Sequence, residues 1–206
     1  MKTIMFDAST SVMYVGYVKD DQLVDFSIRI ASRDHAKYLV DRIDQVIKRN
    51  KLTIDDIDQI VVGIGPGSYT GIRVAVMVAK MIGFSKNIIV RTVSSLFFMT
   101  SGYEDKVVAL IDARRGYVFS AVYENGETLL TDEYRFLQDF QNDELYKIAK
   151  IIFIDEKNYE ISAKKIIEKS VVVEHIHDLI PNYLRKTEAE NNYDKKRENW
   201  WYFRYC

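Results

Sequence analysis

The sequence has little of several features that define whole classes of protein. Cysteine occurs once, as Cys206, which excludes an internal disulfide framework and a cysteine-based zinc site. No apolar run reaches the roughly 18 residues that a membrane-spanning helix needs. The first residues, MKTIMFDAST, read as a strand and lack the apolar core and the small-residue cleavage site of a signal peptide. We therefore expect a cytoplasmic protein with no contact to a membrane.

An excess of charge is also missing. Lysine and arginine number 29 against 30 acidic residues, and the net charge is −1. A protein that binds nucleic acid by itself usually carries a basic surplus, so the charge does not favour that class. Proline occurs only twice, which argues against long structureless linkers. Apolar residues make up 48% of the chain, enough for a packed core, and 206 residues fit one large domain or two small lobes.

The apolar pattern predicts two successive sets of strands and helices. The first set has three hairpin-linked strands, a helix over about 34–50, a buried strand, a helix over about 70–84, a strand in NIIVRTV and a short helix in SSLFFMTSGY. The second set begins near Lys106 with strands in KVVALIDA, GYVFSAVYENG and ETLLTDEYRFL. It continues with KIIFID, a helix in NYEISAKKIIEK and a strand in SVVVEHI. This repeated order predicts an α/β protein of two related lobes.

Four of the nine glycines lie in the segment GIGPGSYTG, residues 63–71, between a strand and a helix. Free backbone N–H groups at a helix start suit an anion. On that hypothesis a phosphate would be bound by Gly65, Gly67, Ser68, Thr70 and Gly71. The spacing fits neither a Walker loop nor a Gly-x-Gly-x-x-Gly fingerprint, and it lacks the Gly-x-Ser-x-Gly of a serine hydrolase. The alternative is a tight turn in which Ser68 or Thr70 caps the helix.

The helix after this loop, GIRVAVMVAKMIGF, is apolar on nearly all sides. Besides the residues that one core would cover, Met77, Met81 and Phe84 form a second stripe at helical spacing. Such a helix is either enclosed within its own protein or covered by a partner. Methionine and phenylalanine suit an adaptable interface, which favours a partner.

Five stretches resemble the bacterial TsaB (YeaZ) family. GPGSYTGIRVAVMVAK is similar to its glycine motif and second helix, and IMFDASTSVMYVGYV to its first two strands. SRDHAKYLVDRIDQVI resembles its first helix, VALIDARRGYVFSAVY its Asp-Ala-Arg stretch, and PNYLRKTEAE its C-terminal Pro-x-Tyr-Leu-Arg. Together these stretches cover about residues 3–190. Tyr117 stands where the family often has glutamate.

The resemblance implies a two-lobed actin-like (ribonuclease H-like) α/β fold, with mixed sheets flanked by helices and related to the Gcp or glycoprotease-like proteins. We expect an N-terminal lobe over 1–102, which carries the glycine loop and partner-binding helices. A smaller C-terminal lobe is expected over 103–190, followed by a charged and aromatic tail over 191–206. The tail could dock a partner or fold back on the second lobe.

The resemblance further implies a noncatalytic scaffold for TsaD, the catalytic subunit that makes threonylcarbamoyladenosine in tRNA beside the anticodon. The ATPase TsaE completes that assembly. This chain would need no cofactor, because ATP and metal are expected on the partner subunits, and it would meet tRNA only through the complex. A homodimer through the same N-lobe surface is the competing association. The interface residues implied are His35, Tyr38, Arg73, Met77, Lys80, Met81 and Phe84.

The positions that bind nucleotide in actin-like ATPases look degenerate here. Their remnants are Asp7, Ser9, Thr10, Asp112 and Arg114. The three histidines lack the His-x-x-x-His spacing of the metal-binding relatives. His175 and His177 form a His-x-His pair for which we identify no third ligand. Two alternatives stay open: an actin-like ATPase or glycoprotease-like hydrolase in its own right, and a self-sufficient tRNA binder.

Overall fold

The computed structural model describes residues 1–30 and 34–185, and they form two mixed sheets. The first sheet has six strands in the order β10-β5-β4-β1-β2-β3, and the second has four in the order β8-β7-β6-β9. The strands are β1 (Lys2–Asp7), β2 (Val12–Lys19), β3 (Gln22–Ile30), β4 (Gln59–Gly63), β5 (Ile89–Val93), β6 (Val107–Arg114), β7 (Tyr117–Glu124), β8 (Glu127–Phe136), β9 (Lys150–Phe153) and β10 (Val171–Val172).

Six α-helices and two short 3-10 turns connect these strands in the described part of the chain. The helices are α1 (His35–Arg49), α2 (Tyr69–Lys86), α3 (Ser95–Thr100), α4 (Leu137–Phe140), α5 (Glu144–Ile148) and α6 (Ala163–Lys169). The 3-10 turns are Ile54–Asp56 and Ile176–Asp178. The Thr53 N–H donates to the Asp56 carboxylate at 2.8 Å, which is one half of a capping box at the first of these turns.

The two sheets repeat one topology. In each, the first three strands form an antiparallel meander and the fourth pairs in parallel with the first. The order β3-β2-β1-β4-β5, with β4 and β5 parallel, is that of the ribonuclease H-like fold. The predicted fold class, an α/β protein with two mixed sheets flanked by helices, is thus confirmed.

Three apolar clusters form the core. One lies between the two sheets and includes Met5, Phe98, Ala109 and Ile166. A second joins the other face of the first sheet to α1 and α2, and a third joins the other face of the second sheet to α4 and α5. The second lobe's outer helices are short, so its outer face is covered by fewer residues than that of the first lobe.

The observed strands and helices differ from the predicted ones in three segments. The segment SVVVEHI contributes only the two-residue strand β10, and this strand pairs with β5 of the first sheet rather than with the second. The helix expected in NYEISAKKIIEK is confined to α6, and that in SSLFFMTSGY to α3. Helices α4 and α5 were not anticipated. The tail over 191–206 and the end of the expected second lobe after residue 185 lie outside the described residues.

Candidate functional site

The glycine loop joins β4 to α2 and packs against the turn that ends β1. A Cβ atom on Gly71 would overlap the carbonyl oxygen of Ala8, and one on Gly63 would overlap the Asp7 carboxylate, both well inside the 3.0 Å that real Cβ atoms keep. The Ser68 N–H donates to the Ser9 carbonyl at 2.6 Å. Glycine is therefore needed at these positions because the turn after β1 approaches the loop closely, with a carbonyl oxygen at Gly71 and a carboxylate at Gly63.

Several backbone N–H groups of the loop donate to acceptors within the chain. Gly65 donates to the Ser95 hydroxyl at 2.9 Å, and Gly65 accepts in return from the Ser95 N–H at 2.9 Å. The Ser68 side chain caps α2 by accepting from the Gly71 N–H at 3.4 Å. Gly67 lies against Ser9, and Thr70 is exposed in the first turn of α2. This geometry favours the turn over the phosphate cradle.

Asp7 is fully buried at the centre of this contact. Its carboxylate accepts from the Ser9 N–H at 2.7 Å, from the Ser9 hydroxyl at 2.6 Å and, over a very short distance, from the Ser95 hydroxyl. Thr10 accepts from the Val12 N–H at 3.1 Å. The structure thus brings Asp7 and Ser9 together with the glycine loop, and joins both to Ser95 at the start of α3, a residue that sequence reasoning did not single out.

The second-lobe counterpart of this turn is open. Asp112 is exposed and accepts the Arg114 N–H at 2.8 Å. Arg114 and the next residue, Arg115, are both exposed and have φ angles of 66° and 56°. Asp112 and Arg114 therefore lie in a surface turn, whereas Asp7 and Ser9 are enclosed.

One side of α2 is exposed along the stripe that the sequence predicts. Met77, Met81 and Phe84 are 57%, 63% and 66% exposed, and Arg73 is exposed one turn before them. The opposite side buries residues from Ile72 to Gly83 against the first sheet. The residues that the structure describes do not enclose this stripe, which favours the alternative of a partner.

Helix α1 lies beside α2 and adds Val40, which is 58% exposed. Tyr38 is half-buried, with the Arg29 guanidinium 4.1 Å from its ring centroid. That guanidinium also donates to both carboxylate oxygens of Asp34 at 2.6 Å. His35 begins α1, but its side chain lies outside the described part of the structure.

A C-terminal segment, residues 177–185, borders α2 on another side. Sequence reasoning did not place this segment beside α2. The Lys80 ammonium donates to the carbonyls of His177 and Leu179 at 2.8 and 3.1 Å. The rings of Phe84 and His177 lie 5.0 Å apart. Lys80 is therefore half-buried and bonded within its own chain, unlike the three apolar residues of the stripe.

The same segment then crosses to the glycine loop and the second lobe. Its Asn182 N–H donates to the Ile64 carbonyl at 2.8 Å, and Tyr183 packs on Tyr69 with ring centroids 4.9 Å apart. Arg185 reaches the Ala113 carbonyl at 3.2 Å. In the sequence, this segment was marked only by the family-like stretch PNYLR, and the sequence does not show where that stretch lies in the fold.

A buried polar contact links the lobes elsewhere. The Tyr123 hydroxyl donates to Asp132 at 3.0 Å and lies 3.3 Å from the hydroxyl of Ser94, which caps α3. Burial raises the pKa of the Asp132 carboxyl above its usual range, opposed by hydrogen bonds from Ser94 and Tyr123. Burial also raises the pKa of Tyr123 well above its usual range.

Within residues 1–30 and 34–185, no group of three or more His, Cys, Asp or Glu side chains is placed to hold a metal ion. In the same residues, no helix has the length and apolar character to cross a membrane. His175 and His177 flank the start of the second 3-10 turn, where His177 packs on Phe84.

Comparison with known proteins adds independent support. Residues 28–176 match the model of the family described as "TsaD: tRNA N6-adenosine threonylcarbamoyltransferase". The chain is 24% identical over 221 residues to the tRNA threonylcarbamoyladenosine biosynthesis protein TsaB of Bacillus subtilis, with 92% of this chain and 96% of the relative covered. It is 27% identical to the protein of the same name from Escherichia coli over 62% of this chain and 57% of that relative.

The solved structure of YeaZ from Pseudomonas aeruginosa shares the fold. It superposes with a TM-score of 0.69 at 20% identity, covering 89% of this chain and 99% of that one. The family match spans more than half of the chain, and the fold and motifs agree with it. The chain therefore belongs to this family of the Gcp-like superfamily and, within it, to the TsaB (YeaZ) proteins.

Proposed function

We propose that this chain is a noncatalytic subunit of the assembly that makes threonylcarbamoyladenosine in tRNA, and that it supports the catalytic subunit TsaD. TsaE is the third protein of the proposed assembly, and ATP and metal bind to the partner subunits. The relatives are named as proteins of threonylcarbamoyladenosine biosynthesis, which supports the choice of pathway. The family match to TsaD supports a partner of related fold.

The observation that carries the proposal is the exposed stripe of α2. Met77, Met81 and Phe84 together present three large apolar side chains on one helix face, each more than half exposed. Covering one such side chain contributes about 1.5–3 kcal/mol, so the three supply enough to anchor a complex. The charged side chains of α2 are Arg73, Lys80 and Lys86, with no acid among them. Lys80 donates to backbone carbonyls of the chain itself, and Lys86 is ion-paired with Asp55 at 2.7 Å. A partner with an apolar helix face and a carboxylate that faces Arg73 is therefore the best complement.

A noncatalytic role is supported by the buried turn at Asp7. In this turn the carboxylate bonds to Ser9 and Ser95, and the glycine loop packs over it. A catalytic acid or phosphate ligand has to meet its substrate, whereas this carboxylate is fully buried. The alternative, an actin-like ATPase or hydrolase, predicts turnover by the isolated chain that is lost in Asp7→Asn.

The stripe is also the surface through which two copies of this chain would associate. Self-association and TsaD binding then compete by mass action. We expect the homodimer to dissociate as TsaD is added, which sedimentation velocity measures directly. Persistence of the homodimer beside a separately bound TsaD would show that the two partners use different surfaces.

The decisive variant is Phe84→Glu, because a carboxylate at the centre of an apolar interface cannot be desolvated cheaply. We expect its affinity for TsaD, measured by isothermal titration calorimetry, to fall at least about 100-fold, since each factor of ten is about 1.4 kcal/mol. The matched control is Ile148→Glu on α5, which is also 66% exposed but lies in the second lobe.

Calorimetry on the wild-type chain with TsaD, and separately with ATP and magnesium, tests the proposal as a whole. Association with TsaD that Phe84→Glu abolishes and Ile148→Glu preserves supports it. Failure to associate, or equal losses in both variants, would refute the assigned face. Tight ATP binding with hydrolysis by the chain alone would favour the enzyme alternative.

A further inference from the structure

The C-terminal segment follows one flank of α2 for most of the length of that helix. The ring of His177 lies 5.0 Å from that of Phe84, and the ring of Tyr183 lies 4.9 Å from that of Tyr69. Between these two contacts, the Lys80 ammonium donates to two carbonyls of the segment. Tyr69, Lys80 and Phe84 are close to whole helical turns apart, so they share one side of α2. The segment therefore runs antiparallel to α2 and borders the exposed stripe.

The part of the segment nearest Lys80 is held in place from two sides. Leu179 is 8% exposed and belongs to the apolar cluster that joins the first sheet to α1 and α2. The Lys80 ammonium donates to the His177 carbonyl at 2.8 Å and to the Leu179 carbonyl at 3.1 Å. The Leu179 N–H in turn donates to the Ile176 carbonyl at 3.4 Å. The backbone at Leu179 is thus fixed by the core and by α2.

Ile180 follows directly and is presented to solvent. It is 70% exposed, more than Met77, Met81 or Phe84 on the stripe. The backbone at Leu179 is extended, and successive side chains of an extended chain point to opposite sides, so Ile180 points outward where Leu179 points inward. A single exposed isoleucine is common on protein surfaces. This one differs because the chain holds it beside a helix that carries three other exposed apolar side chains.

A stripe of three side chains is smaller than a stable protein interface. Such an interface buries about 800 Å² on each partner and involves about 20–30 residues from each. A partner that binds the stripe must therefore also cover the elements on either side of it. On one side these are exposed residues of α1, such as Val40, and on the other the C-terminal segment with Ile180. An interface of ordinary size would include three elements of this chain rather than one helix.

We propose that TsaD binds the C-terminal segment as well as α2, with Ile180 as an apolar anchor and Lys80 as the residue that positions it. The Lys80 ammonium holds the backbone next to Ile180, so it acts on the partner through that side chain. The chemistry that fits is an apolar surface of the partner that extends past α2, because the Ile180 side chain offers neither charge nor hydrogen bond. The inference rests on the proposed function for the identity of the partner, and it adds a binding element outside the two helices.

The first test is Ile180→Glu, measured by isothermal titration calorimetry with TsaD. We expect the affinity to fall at least about tenfold, because the new carboxylate would lose water where an apolar contact is made. The matched control is Ile148→Glu on α5, the same substitution at a residue that is 66% exposed in the second lobe. Its TsaD affinity should change less than about twofold, and both variants should keep the wild-type melting temperature, since substitutions at exposed sites change stability little.

A double-mutant cycle tests whether Lys80 acts through Ile180. Lys80→Met removes both hydrogen bonds to the segment and keeps an unbranched side chain in α2. We expect it to weaken TsaD binding about fivefold in the wild-type chain and less than about twofold in Ile180→Ala. A side chain that contacts TsaD independently of the segment, such as Met77 when changed to alanine, should lose the same amount in both backgrounds.

Hydrogen exchange on the complex detects the contact directly. TsaD should slow exchange in peptides that span 176–185 and leave those that span 144–148 unchanged. The inference is refuted by unchanged exchange over 176–185, or by an equal loss of affinity in Ile180→Glu and Ile148→Glu. Equal losses for Lys80→Met in both backgrounds would refute its positioning role.

The same titrations separate this inference from the proposed function. A chain that binds TsaD, and loses that binding in Phe84→Glu but not in Ile180→Glu, refutes this inference alone. A wild-type chain that does not bind TsaD refutes the proposed function and the inference that rests on it. Loss of binding in Phe84→Glu and Ile180→Glu, with binding preserved in Ile148→Glu, supports both.

Discussion

The two lobes share a topology but treat the turn after their first strand in opposite ways. In the first lobe, Asp7 is fully buried and bonded to Ser9 and Ser95. In the second, Asp112 is exposed and accepts the N–H of the strained Arg114. The aspartate at the end of the first strand is thus buried and hydrogen-bonded in one lobe and exposed on the surface in the other.

The difference originates in the segment after the fourth strand of each sheet. After β4, the glycine loop packs over the Asp7 turn and leads into the 18-residue helix α2. After β9, an Asp155 turn without glycine leads to the seven-residue helix α6. Helix α6 packs into the core between the sheets, whereas α2 covers the outer face of the first sheet. The long helix therefore seals one turn, and the short one leaves the other open.

The largest effect should come from adding a side chain at Gly71, where the glycine loop packs against the turn after β1. In Gly71→Ala, the new methyl group would overlap the Ala8 carbonyl oxygen, which is backbone and cannot move aside cheaply. We expect a loss of more than about 3 kcal/mol in the free energy of unfolding, measured by urea denaturation. The control, Gly126→Ala in the second lobe, meets only Lys165 at 3.9 Å and should lose about 1 kcal/mol from its positive φ. Equal losses would contradict the docking of the two turns.

A smaller contrast is expected when the two aspartates are removed in turn. Asp7→Ala leaves the Ser9 and Ser95 donors buried without this acceptor, which should cost about 2 kcal/mol in the free energy of unfolding. Asp112→Ala, at an exposed site, should cost about 0.5 kcal/mol. Chemical denaturation of both variants decides the point, and a larger loss in Asp112→Ala would reverse the comparison.

The smallest effect concerns Asp132, where the lobes meet. Because burial raises its pKa above the ordinary 3.8, the folded chain holds this proton more tightly than the unfolded chain does. The stability contributed is therefore present at low pH and is lost as the pH rises through the folded pKa. Asp132→Asn keeps an acceptor for the Tyr123 hydroxyl and cannot ionise, so its stability relative to wild type should increase as the pH rises above 3.8.

Thermal melts at a series of pH values check this prediction. The variant should gain on the wild type between acidic and neutral pH and then stay level. Asp56 is a suitable reference, because hydrogen bonds from Thr53 lower its pKa. Replacing it by asparagine should have the opposite pH dependence, with stability lost relative to wild type as the pH rises. A flat profile for Asp132→Asn would mean that its carboxyl is not desolvated.

Local patterns predicted much of the first lobe. Helix α1 was expected over about 34–50 and runs from His35 to Arg49, and α2 was expected over about 70–84 and runs from Tyr69 to Lys86. Both have apolar residues at helical spacing, and the exposed stripe on α2 results from the same spacing. These features depend on residues near one another in the chain, which is why the sequence discloses them.

Features that depend on distant residues were not predictable. Strand β10 joins the first sheet by pairing with β5, although its apolar run alone would fit either sheet. Lys80 bonds to carbonyls nearly a hundred positions away, so its exposure on the helical wheel was misleading. The β6–β7 turn looked like a remnant of a nucleotide site, and only the structure shows that Arg114 and Arg115 adopt the positive φ angles of a tight hairpin turn.

The sequence by itself determined the α/β class, the family, and the apolar stripe that we assign to a partner. Each of these depends on residue types at fixed local spacing. The tertiary structure alone decided that Asp7 is enclosed by the glycine loop, that the C-terminal segment borders α2, and that Arg114 and Arg115 occupy a strained, exposed turn. Those outcomes required the packing of residues far apart in the chain, since burial and backbone conformation are set by the neighbours that the fold brings alongside each residue.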